Sequence, residues 1–267
     1  MTVFVNDQQW DAEGVEALVH LPEIVDSLPG SSSRSSNRIT VWNWTPDWCD
    51  EPGFVVRQFV HGGLLQKLTG EWFWGTDRFQ REMRLALHAV QNDVPTCRPV
   101  ALRTERVMGP FHTGYYVTER IPRSLNLLEL CRRANRSKEL DPALRRRLAE
   151  HIAASIAAMH DARIVHADLN LKNILLKNAW SNPEAYIIDL DRAELRSEVP
   201  LADRLDNLVR LDRSVLKWPA SRETITLQDR IRTWKRYLAR YPGWSRRWRE
   251  LFRRNATRHL RHMLTRR

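Results

Sequence analysis

Polar residues interrupt the apolar stretch IVHADLNLKNILL at residues 164–176, and three of them have a chemistry and a spacing that suit a catalytic role. His166 is followed by Asp168 and Asn173, a spacing of H-x-D-x4-N. A further carboxylate, Asp189, lies near the end of the apolar run AYIIDL. Phosphoryl transfer from a nucleotide needs a carboxylate beside the attacking hydroxyl, and an amide and a second carboxylate to hold magnesium. The spacing therefore predicts a phosphotransferase in which Asp168 is the base and Asn173 and Asp189 bind the metal.

A single His, Asp or Asn near a strand end is usually a helix cap or a hydrogen-bonded core residue. The four residues together, between apolar strands and after a helical segment that ends MHDARIVH, favour the catalytic interpretation. His166 is part of the catalytic loop, where we expect it to hydrogen-bond the loop and not to act as the base. Metal ligation by histidine is not expected, because no second His or Cys lies at a useful spacing.

Apolar periodicity predicts the elements that must position these residues. Residues 1–53 are expected to be irregular or strand-rich, and the runs ITVWNW, GFVVRQFV, RPVALRTERVM and GYYVTERI have the composition of strands. Residues 77–91 carry apolar side chains at helical spacing and predict an amphipathic helix. From about residue 124 the pattern is helical, with one helix that has Asp141 as its N-cap and Pro142 in its first turn. The chain is therefore predicted to be an α+β protein that is strand-rich first and helical afterwards.

Size and composition narrow the class of protein. The chain has 267 residues, 42% of them hydrophobic, which is enough to bury the core of one large domain or two lobes. Its three cysteines, Cys49, Cys97 and Cys131, are far apart, which argues against a disulfide framework or a zinc knuckle. We find neither a secretory signal nor an apolar run of about 20 residues, and we expect a soluble or peripheral protein of the cytosol.

The formal net charge of +11 is concentrated in the C-terminal segment, residues 230–267, where Glu250 is the only acidic residue. Aromatic and leucine residues recur there at helical spacing. One interpretation is a pair of surface helices with solvated basic faces. The other is attraction to an anionic surface, either acidic lipid or nucleic acid. Charge does not separate these, and the aromatic residues are also compatible with packing of the segment into the helical part of the protein.

The C-terminal half resembles the protein-kinase-like superfamily in the stretches IVHADLNLKNILL and IIDLD. The resemblance implies an α+β, two-lobed fold. Its small antiparallel-sheet N-lobe, residues 1–121, would hold one helix and bind the nucleotide, and residues 122–267 would form a larger helical C-lobe. Asp168 then corresponds to the catalytic-loop aspartate, Asn173 to the metal-binding asparagine, and Asp189 to the magnesium aspartate of the D-F-G motif. This sequence has DLD instead of D-F-G and no recognisable A-P-E segment, which argues against a protein substrate.

A narrower resemblance rests on the ordered segments VVRQFVHGGLLQKL, RFQREMRLALHAV, CRPVAL, VTERIP, VHADLNLKNILL, DLDRAEL and NLVRLDRSVLKW. They resemble the bacterial lipopolysaccharide-core sugar kinases, and most closely the 3-deoxy-D-manno-octulosonic acid (Kdo) kinases, over about residues 28–220. This implies ATP and Mg²⁺ as cofactors and phosphorylation of the 4-hydroxyl of Kdo on a lipid A precursor, in lipopolysaccharide inner-core synthesis. It also implies a peripheral protein on the cytoplasmic side of the bacterial inner membrane, whose basic C-terminus meets the anionic surface.

The resemblance assigns an ion pair in the nucleotide site. Glu82 corresponds to the helix glutamate that orients a phosphate-binding cation. That cation is Arg57, on the strand FVVRQF, or alternatively Lys67. Most kinases use lysine at this position, and arginine is a forked donor with a different reach. The alternative for Glu82 is a solvent-exposed ion pair on the surface of its own helix.

Two further segments correspond to parts of a nucleotide site. A phosphate loop would begin at Gly30 and would use the hydroxyl and backbone N–H groups of Ser31 and Ser32. The alternative is an ordinary polar surface turn. Glu119 and Ile121, in VTERIP, lie where a hinge would present backbone groups to adenine.

Other functions remain open from the sequence. The same machinery could phosphorylate a heptose, an aminoglycoside or a protein serine, because the phosphoryl-transfer residues do not identify the acceptor. A different class of function is a pseudokinase-like module that binds nucleic acid through its basic, tryptophan-rich C-terminus. The joint presence of Asp168, Asn173 and Asp189 argues against that function.

Overall fold

The computed structural model describes residues 1–5, 12–28, 41–47, 49, 53–60, 72–137, 140–245 and 250. The chain divides into two compact units. The N-terminal unit comprises Met1–Leu87 and Cys97–Pro122, and the C-terminal unit comprises His88–Thr96 and Arg123–Arg267.

The N-terminal unit is built on an antiparallel sheet. Its strands are β1 (Thr2–Val5), β2 (Val41–Trp44), β3 (Phe54–Gln58), β4 (Phe73–Trp74), β5 (Pro99–Met108) and β6 (Phe111–Glu119). The order is β1-β5-β6-β3-β2, and β4 pairs with β6. The long β5–β6 hairpin corresponds to two of the strands predicted from the sequence. Arg57 lies opposite Tyr116 in the β3–β6 ladder.

Two short helices precede this sheet's second strand, where the sequence pattern predicted irregular or strand-rich structure. They are α1 (Ala12–Val19) and α2 (Leu21–Ser27). Leu18, Leu21 and Val25 are buried in the same hydrophobic cluster as sheet residues such as Val56 and Val117. These three leucine and valine positions have the i, i+3, i+7 spacing of one helical face. The helices therefore cover apolar side chains of the sheet, and the prediction for this segment was wrong.

The helix α3 (Asp77–Gln91) agrees with its prediction and carries Glu82. Phe79, in its first turn, packs with its ring centroid 4.4 Å from that of Phe59 and 5.1 Å from that of Phe73. All three rings are buried. This aromatic contact fixes the helix against residues of the sheet, so that the buried face of α3 also includes Glu82 and Met83.

The C-terminal unit is mostly helical. Its helices are α4 (Leu127–Ser137), α5 (Pro142–Asp161), α6 (Leu201–Lys217), α7 (Pro219–Thr224), α8 (Leu227–Ala239) and α9 (Pro242–Ser245). Its short strands are β7 (Ser124–Asn126), β8 (Ile164–Val165), β9 (Ile174–Lys177), β10 (Glu184–Ile187) and β11 (Glu194–Leu195). They form a three-stranded sheet, β10-β9-β7, and a two-stranded one, β11-β8.

The helix α5 begins as its sequence predicts. The side chain of Asp141 accepts hydrogen bonds from the N–H groups of Ala143 and Leu144 at 2.6 and 2.8 Å. Those bonds lower the pKa of the Asp141 carboxyl, and Pro142 occupies the first turn. Residues of α5 such as Ile152, Ile156 and Met159 are buried, so this helix lies inside the unit.

The first part of the basic C-terminal segment packs into the C-terminal unit. Helix α8 contacts α5 and buries Trp234, Tyr237 and Leu238. Two ion pairs, Arg145–Asp229 and Arg230–Asp212, join α8 to neighbouring helices. Residues 246–249 and 251–267 lie outside the described residues. Within the described part of the chain, no helix is both long and apolar enough to cross a membrane.

Candidate active site

His166 connects the parts of the predicted catalytic loop. Its ring is fully buried and makes two hydrogen bonds. Nδ1 accepts from the main-chain N–H of Asp168 at 3.1 Å, which leaves Nε2 as the protonated nitrogen that donates to the carbonyl of Ile188 at 3.1 Å. Burial lowers the pKa of His166, so the ring is neutral. One imidazole thus ties the residue before Asp189 to the backbone of Asp168.

Asp168 and Asn173 are held together through main-chain and amide groups. The Asn173 Nδ2 donates to the main-chain carbonyl of Asp168 at 2.9 Å. The bond uses the amide nitrogen, so Oδ1 takes no part in it. An amide oxygen is a ligand that a hard cation prefers. The main-chain carbonyl of Asn173 accepts the N–H of Ile188 at 3.0 Å. The side chain of Asp168 is exposed, and no described group hydrogen-bonds its carboxylate.

Asn170 completes the loop and was not singled out from the sequence. Its Oδ1 accepts from the N–H of Lys172 at 2.8 Å, and its Nδ2 donates to the carbonyl of Asp168 at 2.9 Å. It therefore caps the 3₁₀ turn Leu171–Asn173 and shares the Asp168 carbonyl with Asn173. The signal was present in the sequence, because Asn at the start of a turn commonly bonds the N–H two residues later.

Asp189 lies at the end of the strand that follows. It has φ 64° and ψ 64°, a left-handed backbone, and it precedes the 3₁₀ turn Leu190–Arg192. Its carboxylate is exposed. The contacts of Ile188 with His166 and Asn173 therefore bring the backbone of Asp189 to the same loop as Asp168 and Asn173.

A buried hydrogen-bond chain runs from helix α8 to the catalytic loop. The Tyr237 hydroxyl donates to His160 Nδ1 at 2.7 Å, and His160 Nε2 donates to Asn207 Oδ1 at 3.1 Å. The same oxygen accepts the main-chain N–H of His166 at 3.0 Å, while Asn207 Nδ2 donates to the His166 carbonyl at 3.0 Å. The Asn207 Oδ1 can only accept hydrogen bonds, so His160 Nε2 must carry the proton and donate it. Tyr237, His160 and Asn207 hold His166 in place, and none of the three was identified from the sequence.

The buried His160 gives the protein a stability that depends on pH. Burial lowers the pKa of His160 from 6.5 to about 4, so the folded protein binds fewer protons than the unfolded chain in that interval. The stabilisation is complete above pH 6.5 and is lost as the pH falls toward 4. We expect His160 to account for about 2 kcal/mol of lost stability at pH 5 relative to pH 7.5.

Urea unfolding of the wild type and of His160→Gln at the two pH values measures this effect. His160→Gln should be less stable at pH 7.5 and should show a smaller loss on acidification. The matched control is His20→Gln, which removes an exposed histidine and should keep the wild-type pH dependence. An unchanged pH dependence in His160→Gln would mean that other groups cause the acid sensitivity.

The predicted ion pair lies in the N-terminal unit. An Arg57 Nη2 hydrogen-bonds a carboxylate oxygen of Glu82, whose side chain is only 3% exposed. The guanidinium also lies 4.9 Å from the ring centroid of Phe59 and 5.6 Å from that of Tyr116. The pair is therefore not the exposed helix-surface pair that was the alternative for Glu82. Lys67, the alternative cation, lies outside the described residues.

Breaking the pair should destabilise the fold. Arg57→Met leaves the buried Glu82 carboxylate without this partner, and we expect the free energy of unfolding to fall by about 3 kcal/mol. Adding Glu82→Leu should restore most of it, since the uncompensated charge is then gone. Chemical denaturation of the two variants tests this result. If the double variant were as unstable as Arg57→Met, the loss would come from packing around the rings.

Of the remaining predicted nucleotide-binding residues, two lie among the described residues and three lie outside them. The main-chain N–H of Glu119 donates to the carbonyl of Arg98 at 3.0 Å. Glu119 is the last residue of β6, and Ile121 lies two residues after it. The main-chain N–H of Glu119 is thus used within the fold. Gly30, Ser31 and Ser32 lie outside the described residues, and their assignment as a phosphate loop stays a prediction.

Comparison with known proteins identifies the family. The model of the lipopolysaccharide kinase (Kdo/WaaP) family matches residues 37–241. The chain belongs to the lipopolysaccharide kinase (Kdo/WaaP) family. The matched range includes both the Arg57–Glu82 pair and the His166 loop, and the predicted resemblance is confirmed.

Relatives in this family are 3-deoxy-D-manno-octulosonic acid kinases. The Xylella fastidiosa (strain M23) enzyme is 34% identical over 64% of this chain and 66% of its own length. The Vibrio cholerae enzyme is 30% identical over 61% of this chain, and the match spans 65% of the enzyme. The enzyme of Photobacterium damsela subsp. piscicida is 27% identical over 86% of this chain and 93% of its length. The matches thus span about two thirds of the length of the first two relatives and nearly all of the third.

A solved structure, WaaP in complex with acyl carrier protein, has the same fold. It is 20% identical with a TM-score of 0.58, and the alignment covers 96% of this chain and 99% of that one. At this identity the likeness concerns the fold alone. The predicted α+β, protein-kinase-like fold is confirmed.

Proposed function

We propose that this family member is an ATP-dependent kinase that phosphorylates the 4-hydroxyl of Kdo on a lipid A precursor. The observation that carries the proposal is the loop in which Asp168 has an exposed carboxylate and a main-chain carbonyl that accepts a hydrogen bond from the Asn173 amide nitrogen. The Kdo kinases among the relatives favour Kdo as the acceptor.

The acceptor hydroxyl is deprotonated by Asp168 as its oxygen bonds to the γ-phosphorus of ATP. The bond from that phosphorus to the bridging β–γ oxygen breaks, ADP leaves, and the proton resides on the Asp168 carboxyl. Asn170 and Asn173 hold the Asp168 main-chain carbonyl and so hold the backbone from which the carboxylate extends. His166 positions the loop and remains neutral throughout.

Magnesium would be held by Asn173 Oδ1 and the Asp189 carboxylate. One amide oxygen and one carboxylate fit a hard cation that takes its other ligands from phosphates and water. When bound, it would neutralise charge on the phosphates.

In the same proposal, Arg57 would contact the ATP phosphates while Glu82 holds its guanidinium. The Glu119 carbonyl and the Ile121 N–H would bind the edge of adenine, and the segment from Gly30 would cover the phosphates. These roles come from the family resemblance.

We place the protein at the cytoplasmic face of the inner membrane. Helix α8 buries its apolar face and leaves Lys235 and Arg236 exposed, followed by Arg240. A basic surface of this kind attracts anionic lipid. The acceptor is lipid-linked, so attraction to the membrane would raise its local concentration.

Incubation of the purified protein with γ-labelled ATP and Kdo-bearing lipid A precursor tests the proposal. We expect label on Kdo, and none when ATP lacks Mg²⁺. The acceptor panel also contains a heptose-bearing core, an aminoglycoside and a protein serine substrate. Label on heptose alone would reassign the acceptor, and no label on any acceptor from a protein that binds ATP would refute the kinase function.

A further inference from the structure

Three cations surround one tryptophan close to the catalytic loop. The Lys172 Nζ lies 5.0 Å from the ring centroid of Trp218, and the Lys217 Nζ lies 5.4 Å from it. The guanidinium carbon of Arg132 lies 6.0 Å from the same centroid. We call these four residues the Trp218 cluster.

The cluster is assembled by elements that also hold the catalytic loop. Lys172 is on the 3₁₀ turn, directly before Asn173. Helix α4, which carries Arg132, packs on that turn, as does α6, which ends at Lys217. The main-chain N–H of Leu171 donates to Ser214 Oγ of α6 at 3.1 Å. The cations therefore have fixed positions relative to the turn that carries Asn173.

Three cationic head groups lie within 6.0 Å of the Trp218 ring centroid. Arg132 also forms an i,i+3 ion pair with Glu129 at 3.7 Å, in which the arginine is exposed. Like charges are kept close to one another here, an arrangement that an anionic ligand would stabilise.

We propose that the Trp218 cluster binds an anionic group of the acceptor, a carboxylate or a phosphate, and so brings the acceptor hydroxyl to Asp168. The inference rests on the proposed kinase function and specifies where the acceptor binds. Asn170 hydrogen-bonds both the main-chain N–H of Lys172 and the main-chain carbonyl of Asp168, so the cluster adjoins the base along the loop. A lysine or arginine head group donates charge-assisted hydrogen bonds to either oxyanion.

Kdo is an acid, so its own carboxylate is one source of the anion. A phosphate elsewhere on the lipid is the other. Both present oxyanions to which the three cations are complementary. The cluster would thereby exclude neutral sugars, since the cations would lose water without gaining a partner.

The test compares Lys217→Gln and Arg132→Gln with the wild type in steady-state kinetics. Each variant should raise the KM for Kdo-bearing lipid A precursor about tenfold, the loss of roughly one charge-assisted hydrogen bond. The KM for ATP should not change. Lys217→Arg keeps the charge and should keep the wild-type KM. The matched control is Arg146→Gln, which removes an exposed cation on α5 and should leave all constants unchanged.

Two modified acceptors identify the source of the anion. If the Kdo carboxylate is the ligand, its conversion to an amide should abolish the difference between wild type and Lys217→Gln. If a phosphate is the ligand, its removal should abolish that difference. The proposal is overturned if wild type phosphorylates the acceptor and both glutamine variants retain its KM. A wild type that binds ATP but phosphorylates no acceptor would instead refute the proposed function.

Discussion

Replacing Asp168 by asparagine is expected to lower kcat about 10³-fold and to leave the affinity for ATP within about twofold. The variant retains the main-chain carbonyl that Asn170 and Asn173 hold, so the loop should keep its shape. It loses only the group proposed to accept the proton. No described group hydrogen-bonds the carboxylate, so its removal should not expose an unpaired partner in that part of the chain.

Single-turnover phosphorylation and equilibrium ATP binding measure the two quantities separately. The control is Asp203→Asn, a carboxylate in the first turn of α6 and outside the loop, which should have nearly wild-type kcat. Near-wild-type turnover by Asp168→Asn would show that another group takes the proton. A parallel loss of ATP binding would show that Asp168 organises the nucleotide site.

The largest loss of stability is expected from Asn207→Leu. Leucine has a similar volume but removes the acceptor of His166 N–H and of His160 Nε2, and the donor to the His166 carbonyl. All of these groups are buried, and each unpaired buried polar group costs about 1–3 kcal/mol. We expect a loss of roughly 3–6 kcal/mol, a large part of the stability of an ordinary domain.

Urea unfolding of Asn207→Leu at pH 7.5 tests this expectation. Asn135→Leu is the matched control, because its exposed amide bonds only Glu223 among the described contacts, at 2.7 Å. That control should change stability by no more than about 0.5 kcal/mol. A similar small change in Asn207→Leu would mean that water or a shifted side chain satisfies the His166 backbone.

The sequence predicted the parts of the site that are close together along the chain. Asp168 and Asn173 are five residues apart on one loop, as their spacing suggests, and their roles in phosphoryl transfer stay predictions. The strands β5 and β6 were also predictable, because an apolar run, a Gly-Pro turn and a second apolar run specify a hairpin. Glu82 lies on a helix with a regular apolar face, which predicted the helix, whereas its partner, Arg57 or Lys67, was predicted from the family resemblance.

Contacts between distant residues were not predictable. Asn207 is 41 residues from His166, and Tyr237 is 77 residues from His160, so nothing in local pattern joins them. The apolar face of α8 was visible, but periodicity does not tell whether such a face meets a membrane or the protein's own core. The Trp218 cluster was not predictable for the same reason, since α4, the 3₁₀ turn and α6 meet only in the folded chain.

The left-handed backbone of Asp189 restricts how this position can vary. L-residues with a Cβ avoid that conformation at a cost of about 1–2 kcal/mol, and aspartate and asparagine tolerate it best apart from glycine. Glycine would relieve the backbone but has no ligand oxygen, and glutamate would supply the oxygen with more strain. An alanine variant would therefore confound loss of the carboxylate with a shift of the backbone that His166 and Asn173 hold through Ile188. Asparagine changes the side-chain charge and keeps the backbone conformation. Aspartate and asparagine are therefore the two residues that satisfy both the left-handed backbone and the proposed need for a ligand oxygen.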